Sequence, residues 1–295
     1  MNTVKTFLLM LGLMALFLFI GNILGGRSGM ELAFVIACVM NLFSYWFSDK
    51  MVLAMYRAKP VPETDDSVLV RTVRRLAHKA SIPMPRVYII DSDVPNAFAT
   101  GRNPQHAAVA ATSGILEILN EHELEGVLGH ELTHVIHRDI LISSMAATLA
   151  GAIMLLRQMA WFGAMFGGMG RRDRNERGGG LELLVVMIVA PLAATLIQLA
   201  ISRSREYDAD KGGAQMTGDP LSLASALSKI SVGNAHAQEP LTTNPATAHL
   251  FICNPLKGEG LMALFSTHPP TAERIKRLEA MAGASSSFKT PQLIY

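Results

Sequence analysis

Two histidines and a glutamate lie close together in the segment His130-Glu131-Leu132-Thr133-His134. If this segment is helical, the two histidines are four residues apart and project from one face, so both imidazoles can bind one ion. Zinc prefers such nitrogen ligands at about 2.0 to 2.1 Å in a tetrahedral arrangement. Glu131 can then reach a water molecule at the ion, take its proton and pass it to a leaving amine. The segment therefore predicts one zinc ion per chain and hydrolytic chemistry.

A catalytic zinc ion usually has three protein ligands, so another must come from elsewhere in the chain. His137 is near in sequence, but a straight helix cannot bring three histidines around one ion, and we expect His137 at the surface or behind a ligand. Glu206 and Asp210 are better candidates because they are four residues apart on one predicted helix face. One of them can bind the metal, while the other accepts the free N–H of a ligating imidazole.

The composition indicates a membrane protein. Half of the 295 residues are hydrophobic, 17% are charged and the mean hydropathy is +0.29, whereas a soluble chain carries about 25% charged residues. Four charge-free runs span residues 6–26, 32–48, 140–156 and 183–202. Such runs are long enough to cross about 30 Å of hydrocarbon. We expect about four transmembrane helices in two hairpins. The second hairpin either crosses fully or only dips into the membrane, and we favour crossing.

Basic residues around the first hairpin predict its orientation. Arg27 alone lies in the connecting turn, whereas the outer flanks contain Lys5, Lys50, Arg57 and Lys59. No Ala-x-Ala-like cleavage site follows the first run, so we expect this run to be retained. An even number of crossings then places both termini and both polar segments, 49–139 and 203–295, on the cytoplasmic side.

The polar segments predict one aqueous α+β domain with a small sheet, in a chain that is otherwise mainly α-helical. The predicted organisation is a transmembrane hairpin at 1–48, the first part of the domain at 49–139, the second hairpin with a Gly/Arg-rich loop at 140–202, and the second part at 203–295. Periodicity predicts a helix that starts after Asp66 or Ser67 and ends before Pro83, strands at 86–90, 96–100 and 107–112, and helices at 121–138, from Pro220, and at 271–281.

Four segments together resemble the HtpX family of bacterial integral-membrane zinc metalloproteases, gluzincins related to the eukaryotic CAAX prenyl endoproteases. These segments are Asn96-Ala97-Phe98-Ala99, Gly129 to His134, Ser202 to Asp210, and Ser266-Thr267-His268-Pro269-Pro270. The resemblance extends over essentially the whole chain, and no motif position departs from the family pattern.

The resemblance implies a role for each matching residue. His130, His134 and Glu206 would bind zinc, Glu131 would act as the general base, and Asp210 would support a ligand from behind. His268 and Arg274 would lie at the active site and stabilise the oxyanion or hold substrate carbonyls. An edge strand made by Asn96, Ala97, Phe98 and Ala99 would bind an extended peptide through main-chain hydrogen bonds.

The resemblance also implies a location and partners. We expect a multi-pass protein of the bacterial inner membrane that cleaves unfolded or misfolded membrane proteins in the lipid bilayer, alongside other quality-control proteases. The sequence contains no Gly-x4-Gly-Lys-Ser/Thr motif, so we expect no nucleotide partner and ATP-independent cleavage. A net charge of +2 gives no indication of nucleic-acid binding.

Two alternatives stay open at this point. One is a CAAX prenyl-type protease, which would cut only short prenylated C-termini. The other is a membrane scaffold that stores zinc without catalysis. Serine hydrolases are disfavoured because the sequence has no Gly-x-Ser-x-Gly motif.

Overall fold

The computed structural model describes residues 2–145, 203–236, 250–253 and 269–287. Most of the second predicted hairpin lies outside these residues, as does His268. The described part comprises one long bent helix, a four-stranded sheet and the helices that pack on it.

The N-terminal helix, α1 (Asn2–Met55), bends back on itself at Gly25 and Gly26. Gly26 has a φ of +55°, a left-handed conformation that favours glycine, and the helical geometry is interrupted there. The two arms contact each other, since the side-chain amide of Asn41 donates to the carbonyl oxygen of Met10 at 3.4 Å. The two apolar runs at 6–26 and 32–48 thus lie on opposite arms.

One helix in the described part of the chain is long and apolar enough to cross a membrane by length and composition. It covers Gly25–Met55, the second arm of α1. The first arm contains a shorter apolar helix, Met10–Phe19.

Four short strands form a mixed sheet. They are β1 (Lys59–Val61), β2 (Arg86–Ile90), β3 (Ala97–Thr100) and β4 (Ala108–Thr112). The order is β1-β2-β4-β3; β2 and β4 run parallel, and the two outer pairs are antiparallel. Strand β3 therefore lies at one edge. Its residues are buried because helices cover one face of the sheet, while the end of α1 covers the other with Val52 and Leu53 packed against Phe98.

Further helices complete the described fold. They are α2 (Val68–Lys79), α3 (Ser113–Ile118), α4 (Glu121–Ile136), α5 (Arg203–Thr217), α6 (Pro220–His236) and α7 (Thr271–Ser287). Residues 140–145 are also helical, and a 3₁₀ turn at Pro104–His106 lies between β3 and β4.

Helix α4 occupies the centre of the domain and has a well-defined start. The Asn120 side chain accepts from the Glu123 N–H at 3.0 Å, and the Glu123 carboxylate accepts from the Asn120 N–H at 2.9 Å. The same carboxylate accepts from Ser225 and Lys229 of α6, each at 2.7 Å. Leu124, Val127, Leu128 and Val135 of this helix are buried in the core.

Helices α4 and α5 cross at very close range because Gly213 has no side chain. A Cβ atom at Gly213 would lie 2.6 Å from the backbone nitrogen of His130. This close approach brings the polar face of α5 directly against the histidine-bearing face of α4.

The predicted elements are largely confirmed, with differences at their ends. Strand β1 and helix α3 were missed, since both are too short for periodicity to identify. The last helix was predicted at 271–281, but α7 continues through Gly283 to Ser287, because a glycine within a helix costs only about 1 kcal/mol.

Candidate metal centre

Helix α4 presents His130 and His134 on one face. Their ring centroids lie 4.9 Å apart and the rings are almost perpendicular, at 87°. His130 is fully buried, while His134 is partly exposed at the wall of a cavity. The spacing of four residues therefore does bring the two rings together, as the sequence predicts.

Helix α5 supplies a carboxylate to the same point. Glu206 Oε2 lies 3.8 Å from His130 Nε2, and Glu206 Oε1 lies 3.6 Å from His134 Nε2. One ligand atom from each of these three residues can be chosen so that all lie within 4.8 Å of one another. Ligand atoms about 2.0 to 2.1 Å from a tetrahedral ion would be separated by about 3.3 Å, so this donor set fits a zinc ion with small side-chain movements.

Asp210, one turn after Glu206, fixes the orientation of His130. Its Oδ1 atom accepts a hydrogen bond from His130 Nδ1 at 2.9 Å, which directs Nε2 towards Glu206. Burial raises the pKa of Asp210, but the adjacent Arg274 guanidinium and the bond from His130 outweigh burial and lower it to about 2. Asp210 is therefore ionised at neutral pH and acts only as an acceptor.

Arg274 of α7 holds Asp210 in place. Its Nε and Nη2 atoms donate to the two Asp210 oxygens at 2.8 and 2.7 Å, and Nη1 donates to the carbonyl of Ile252 at 2.6 Å. Nη1 also lies 3.9 Å from Glu206 Oε2. Burial lowers the pKa of this guanidinium, but Asp210 and Glu206 raise it above its usual range. A bidentate pair of this kind locks both side chains.

Asp139 plays the equivalent part for His134. Its Oδ2 atom lies 3.3 Å from His134 Nδ1, and Oδ1 lies 3.5 Å from Arg205 Nη1. The contact depends on the turn after α4, where Arg138 adopts a φ of +59° and the Asp139 N–H donates to the carbonyl of His134 at 2.9 Å. Both histidines thus direct Nε2 towards Glu206.

Glu131 points to the edge of the sheet. Its Oε2 atom accepts from the backbone N–H of Ala99 in β3 at 2.9 Å. Burial raises the pKa of Glu131; the histidine charges lower it, Glu206 raises it further, and the net shift is upward. The raised pKa lies closer to neutral pH. A general base is most effective when its pKa is near the working pH.

A cavity connects these groups. The histidines, Glu131 and Glu206 line it, together with Ala99, Arg205 and residues 250–252. The Asn96 side chain anchors residues 250–252, because its oxygen accepts from the Ile252 N–H at 3.0 Å and its amide donates to the Leu250 carbonyl at 3.4 Å. The segment Asn96 to Ala99 therefore divides into a buried anchor and a strand beside the cavity.

The structure brings together most of the residues that the sequence singles out. His130, His134, Glu206, Glu131, Asp210 and Arg274 share one site, with Ala99 at its rim. His137 caps the end of α4, is exposed and lies outside the cluster. Sequence reasoning gave Asp139 at most a part in capping or orienting the metal-binding helix, with no catalytic role, and did not identify Arg205 as a site residue. The position of Asp139 just after the metal-binding helix was a sequence signal for its contact with a ligand. Nothing in the spacing indicated a role for Arg205.

Comparison with known proteins agrees with this geometry. The family model described as Peptidase family M48 matches residues 63–282, most of the chain. The chain belongs to peptidase family M48. A peptidase family and a clustered His–His–Glu set together make this M48 chain a metalloprotease.

Relatives of this M48 chain match almost its whole length. A protein named protease HtpX homolog from Syntrophotalea carbinolica is 55% identical over 95% of this chain and 99% of its own. A protein of the same name from Thermodesulfovibrio yellowstonii is 57% identical over 96% and 99%. The resemblance to the HtpX family inferred from the motifs is thus confirmed.

A solved structure shares the fold. The crystal structure of S. mikatae Ste24p matches this M48 chain with a TM-score of 0.52 and 17% identity, covering 90% of this chain and 62% of that one. At this identity the match concerns the fold alone, and it supports the mainly helical architecture with a small sheet.

Proposed function

We propose that the chain is a zinc-dependent membrane endopeptidase that degrades misfolded or damaged membrane proteins without ATP. The observation that carries the proposal is the convergence of both histidine Nε2 atoms on the Glu206 carboxylate, at 3.8 and 3.6 Å. His130, His134 and Glu206 would hold the ion. A zinc ion held there supplies Lewis-acid polarisation of a carbonyl group.

Glu131 is the general base in this proposal. It follows a metal-binding histidine directly, lines the cavity and has a raised pKa. The carboxylate accepts a proton from the attacking water and delivers it to the leaving amine. Its bond from Ala99 N–H holds it beside the position that a substrate strand would occupy.

Strand β3 is the proposed binding edge for an extended substrate. Within the described sheet it has a partner on one side only, and Ala99 of this strand lines the cavity. Main-chain pairing along such an edge depends little on the side chains of the peptide, which suits unfolded substrates of varied sequence.

Arg274 and His268 are proposed to assist at the site. The guanidinium of Arg274 is fully buried and engaged with Asp210 and Ile252, so the proposed contribution is to keep His130 and Glu206 oriented. Direct contact of Arg274 with substrate carbonyls stays a prediction from the family resemblance. The role of His268 also stays a prediction from the family resemblance, because this residue lies outside the described residues.

The second arm of α1 supports the proposed membrane placement. Gly25–Met55 is long and apolar enough to cross a bilayer, and its end packs directly against the sheet of the catalytic domain. Basic residues on the flanks favour a cytoplasmic domain in a bacterial inner membrane. The second hairpin would add two further crossings, and other quality-control proteases are candidate partners.

The test compares substrates on the purified full chain reconstituted in vesicles. Wild type should cleave casein and unfolded membrane proteins, and the Glu131→Gln variant should retain the metal but lose cleavage. Glu121→Gln, a change at the exposed start of the same helix, is the matched control and should retain activity. Cleavage of prenylated peptides with none of casein would instead support the CAAX-type alternative, and casein cleavage by Glu131→Gln would refute the assigned base.

A further inference from the structure

A second cleft, lined by residues other than those of the metal centre, lies where β3 ends and where β2 and β4 begin. It has a volume of about 500 Å³ and opens between the last turns of α1 and the loop that joins β3 to β4. Among the described residues, none lines both this cleft and the cavity at the metal centre. Neither the sequence motifs nor the proposed protease chemistry uses it.

The walls of the cleft carry an excess of positive charge. Lys50, Arg86 and Arg102 line it, and among the described lining residues Asp49 is the only carboxylate. Arg86 Nη2 donates to Asp49 Oδ2 at 2.6 Å, so this pair neutralises itself. The charges of Lys50 and Arg102 remain for a ligand. An anion is therefore the favoured occupant.

Aromatic rings lie directly under these two cations. The Arg102 guanidinium carbon is 4.3 Å from the centroid of the Trp46 ring, and Lys50 Nζ is 5.3 Å from that of Phe47. Both rings are substantially exposed, at 47% for Trp46 and 41% for Phe47. Arg102 is oriented further by its bond to His106 Nε2 at 2.8 Å. The cleft thus combines cations with apolar surface in one place.

The position along α1 places this cleft at a membrane surface. From the turn at Gly26 to Trp46 is about 20 residues, or about 30 Å of helix, which equals the hydrocarbon thickness of a bilayer. Tryptophan is typical of the boundary between hydrocarbon and headgroups. Lys50, one turn beyond Trp46, then lies at headgroup depth together with the β3–β4 loop.

We propose that this cleft binds the phosphate headgroup of an anionic phospholipid. Lys50 and Arg102 would contact the phosphate, while Trp46 and Phe47 would lie beside the glycerol and the first acyl carbons. The shared chemistry is a phosphate anion, but the exposed rings favour a lipid over free phosphate. The inference rests on the membrane placement proposed above and not on the protease chemistry.

The fluorescence of Trp46, which lines the cleft, provides the measurement. The chain has two tryptophans, so Trp161→Phe leaves Trp46 as the only one. The purified full chain in neutral detergent micelles is titrated with brominated phosphatidylglycerol, and quenching of Trp46 fluorescence is followed. Brominated phosphatidylcholine and inorganic phosphate, the latter as a competitor, form the other two arms.

We expect saturable quenching by phosphatidylglycerol at a lower mole fraction than by phosphatidylcholine. A cation near a membrane surface contributes about 1 kcal/mol of attraction, so Lys50→Gln and Arg102→Gln should each raise the half-saturating mole fraction about fivefold. Lys79→Gln, at the exposed end of α2, is the control and should leave it unchanged. Lys50→Arg should preserve binding, because the charge is retained.

Each of the following outcomes would overturn the proposal. Equal half-saturation by the two lipids would remove the headgroup preference, and unchanged values for both cleft variants would place the ligand elsewhere. Complete displacement of the lipid by millimolar inorganic phosphate would assign the cleft to free phosphate. Extraction of the chain from membranes by alkaline carbonate would refute the membrane placement itself. If the chain instead stays in the membrane and the titration is flat, only the lipid site fails.

Discussion

Proton competition at His134 gives a quantitative prediction for metal binding. Burial lowers the pKa of His134, but the bond with Asp139 and the charges of Glu206 and Glu131 outweigh burial and raise it to about 9. A metal ion binds the neutral imidazole and must displace this proton. Because the pKa is raised, the protonated form of His134 predominates below about pH 9. The affinity for zinc should therefore fall as the pH falls through this value.

The size of the loss in zinc affinity follows from the difference between the pH and the pKa of His134. At pH 7, two units below the pKa, about one His134 in a hundred is neutral, so the apparent zinc affinity is about 100-fold below its high-pH limit. Between pH 8.5 and pH 7.0 the apparent affinity should fall roughly 20- to 30-fold. Zinc binding at pH 7.5 should release about one proton from this residue.

Asp139→Asn separates this account from a general effect of pH. Removing the carboxylate lowers the pKa of His134, so the dependence of zinc affinity on pH should become weaker. At pH 8.5 the variant should bind zinc about 10- to 100-fold more weakly, because the imidazole loses the group that orients it. Asp208→Asn, an exposed position on α5, is the control and should behave as wild type.

The assay is chelator competition on the purified full chain in detergent from pH 7.0 to 8.5, with calorimetry in two buffers of different ionisation enthalpy to count protons. A zinc affinity that does not change with pH would refute the reasoning. An Asp139→Asn variant that keeps both the wild-type affinity and the wild-type slope would refute it as well.

Two further predictions concern the framework of the site. Gly213→Ala would force a Cβ to within 2.6 Å of the His130 backbone, so α5 should move away from α4, with a loss of about 1–3 kcal/mol in stability and of at least tenfold in zinc affinity. Gly283→Ala, with open space around it inside α7, should instead raise stability by up to about 1 kcal/mol, and equal losses in the two variants would contradict the close-packing argument. Arg274→Met removes the cation that pairs with the buried Asp210 carboxylate, a loss of about 3–5 kcal/mol that should lower the thermal unfolding temperature by about 6–20 °C, whereas the exposed Arg277→Met should cost about 1 kcal/mol. The check is the thermal unfolding temperature of the Arg274→Met and Arg277→Met variants, measured in detergent with a chelator present. Equal decreases in the two variants would show that the Arg274 ion pair does not stabilise the fold.

The sequence predicts the parts of the site that depend on local spacing. A separation of four residues on a helix places His130 with His134, and Glu206 with Asp210, whatever the rest of the fold does. Periodicity in the same way predicted helix α4. Which of the two carboxylates faces the metal came only from the family resemblance, and the distances agree with Glu206.

The remaining features depend on contacts between distant segments, which spacing cannot reveal. The Asn96 side chain binds residues more than 150 positions later in the chain. Arg274 reaches the site from the last described helix, and its bidentate bond to Asp210 follows from packing. The Asp139 contact with His134 depends on a left-handed residue at Arg138, which carries no sequence signal as strong as a glycine would.

The most direct test of the central claim is the metal content of the Glu206→Ala variant. Elemental analysis should find one zinc ion in the wild-type chain and almost none in Glu206→Ala, while the neighbouring Asp208→Ala keeps its zinc. Full zinc occupancy in Glu206→Ala would contradict the assignment of this carboxylate as the third ligand and, with it, the proposed metal centre.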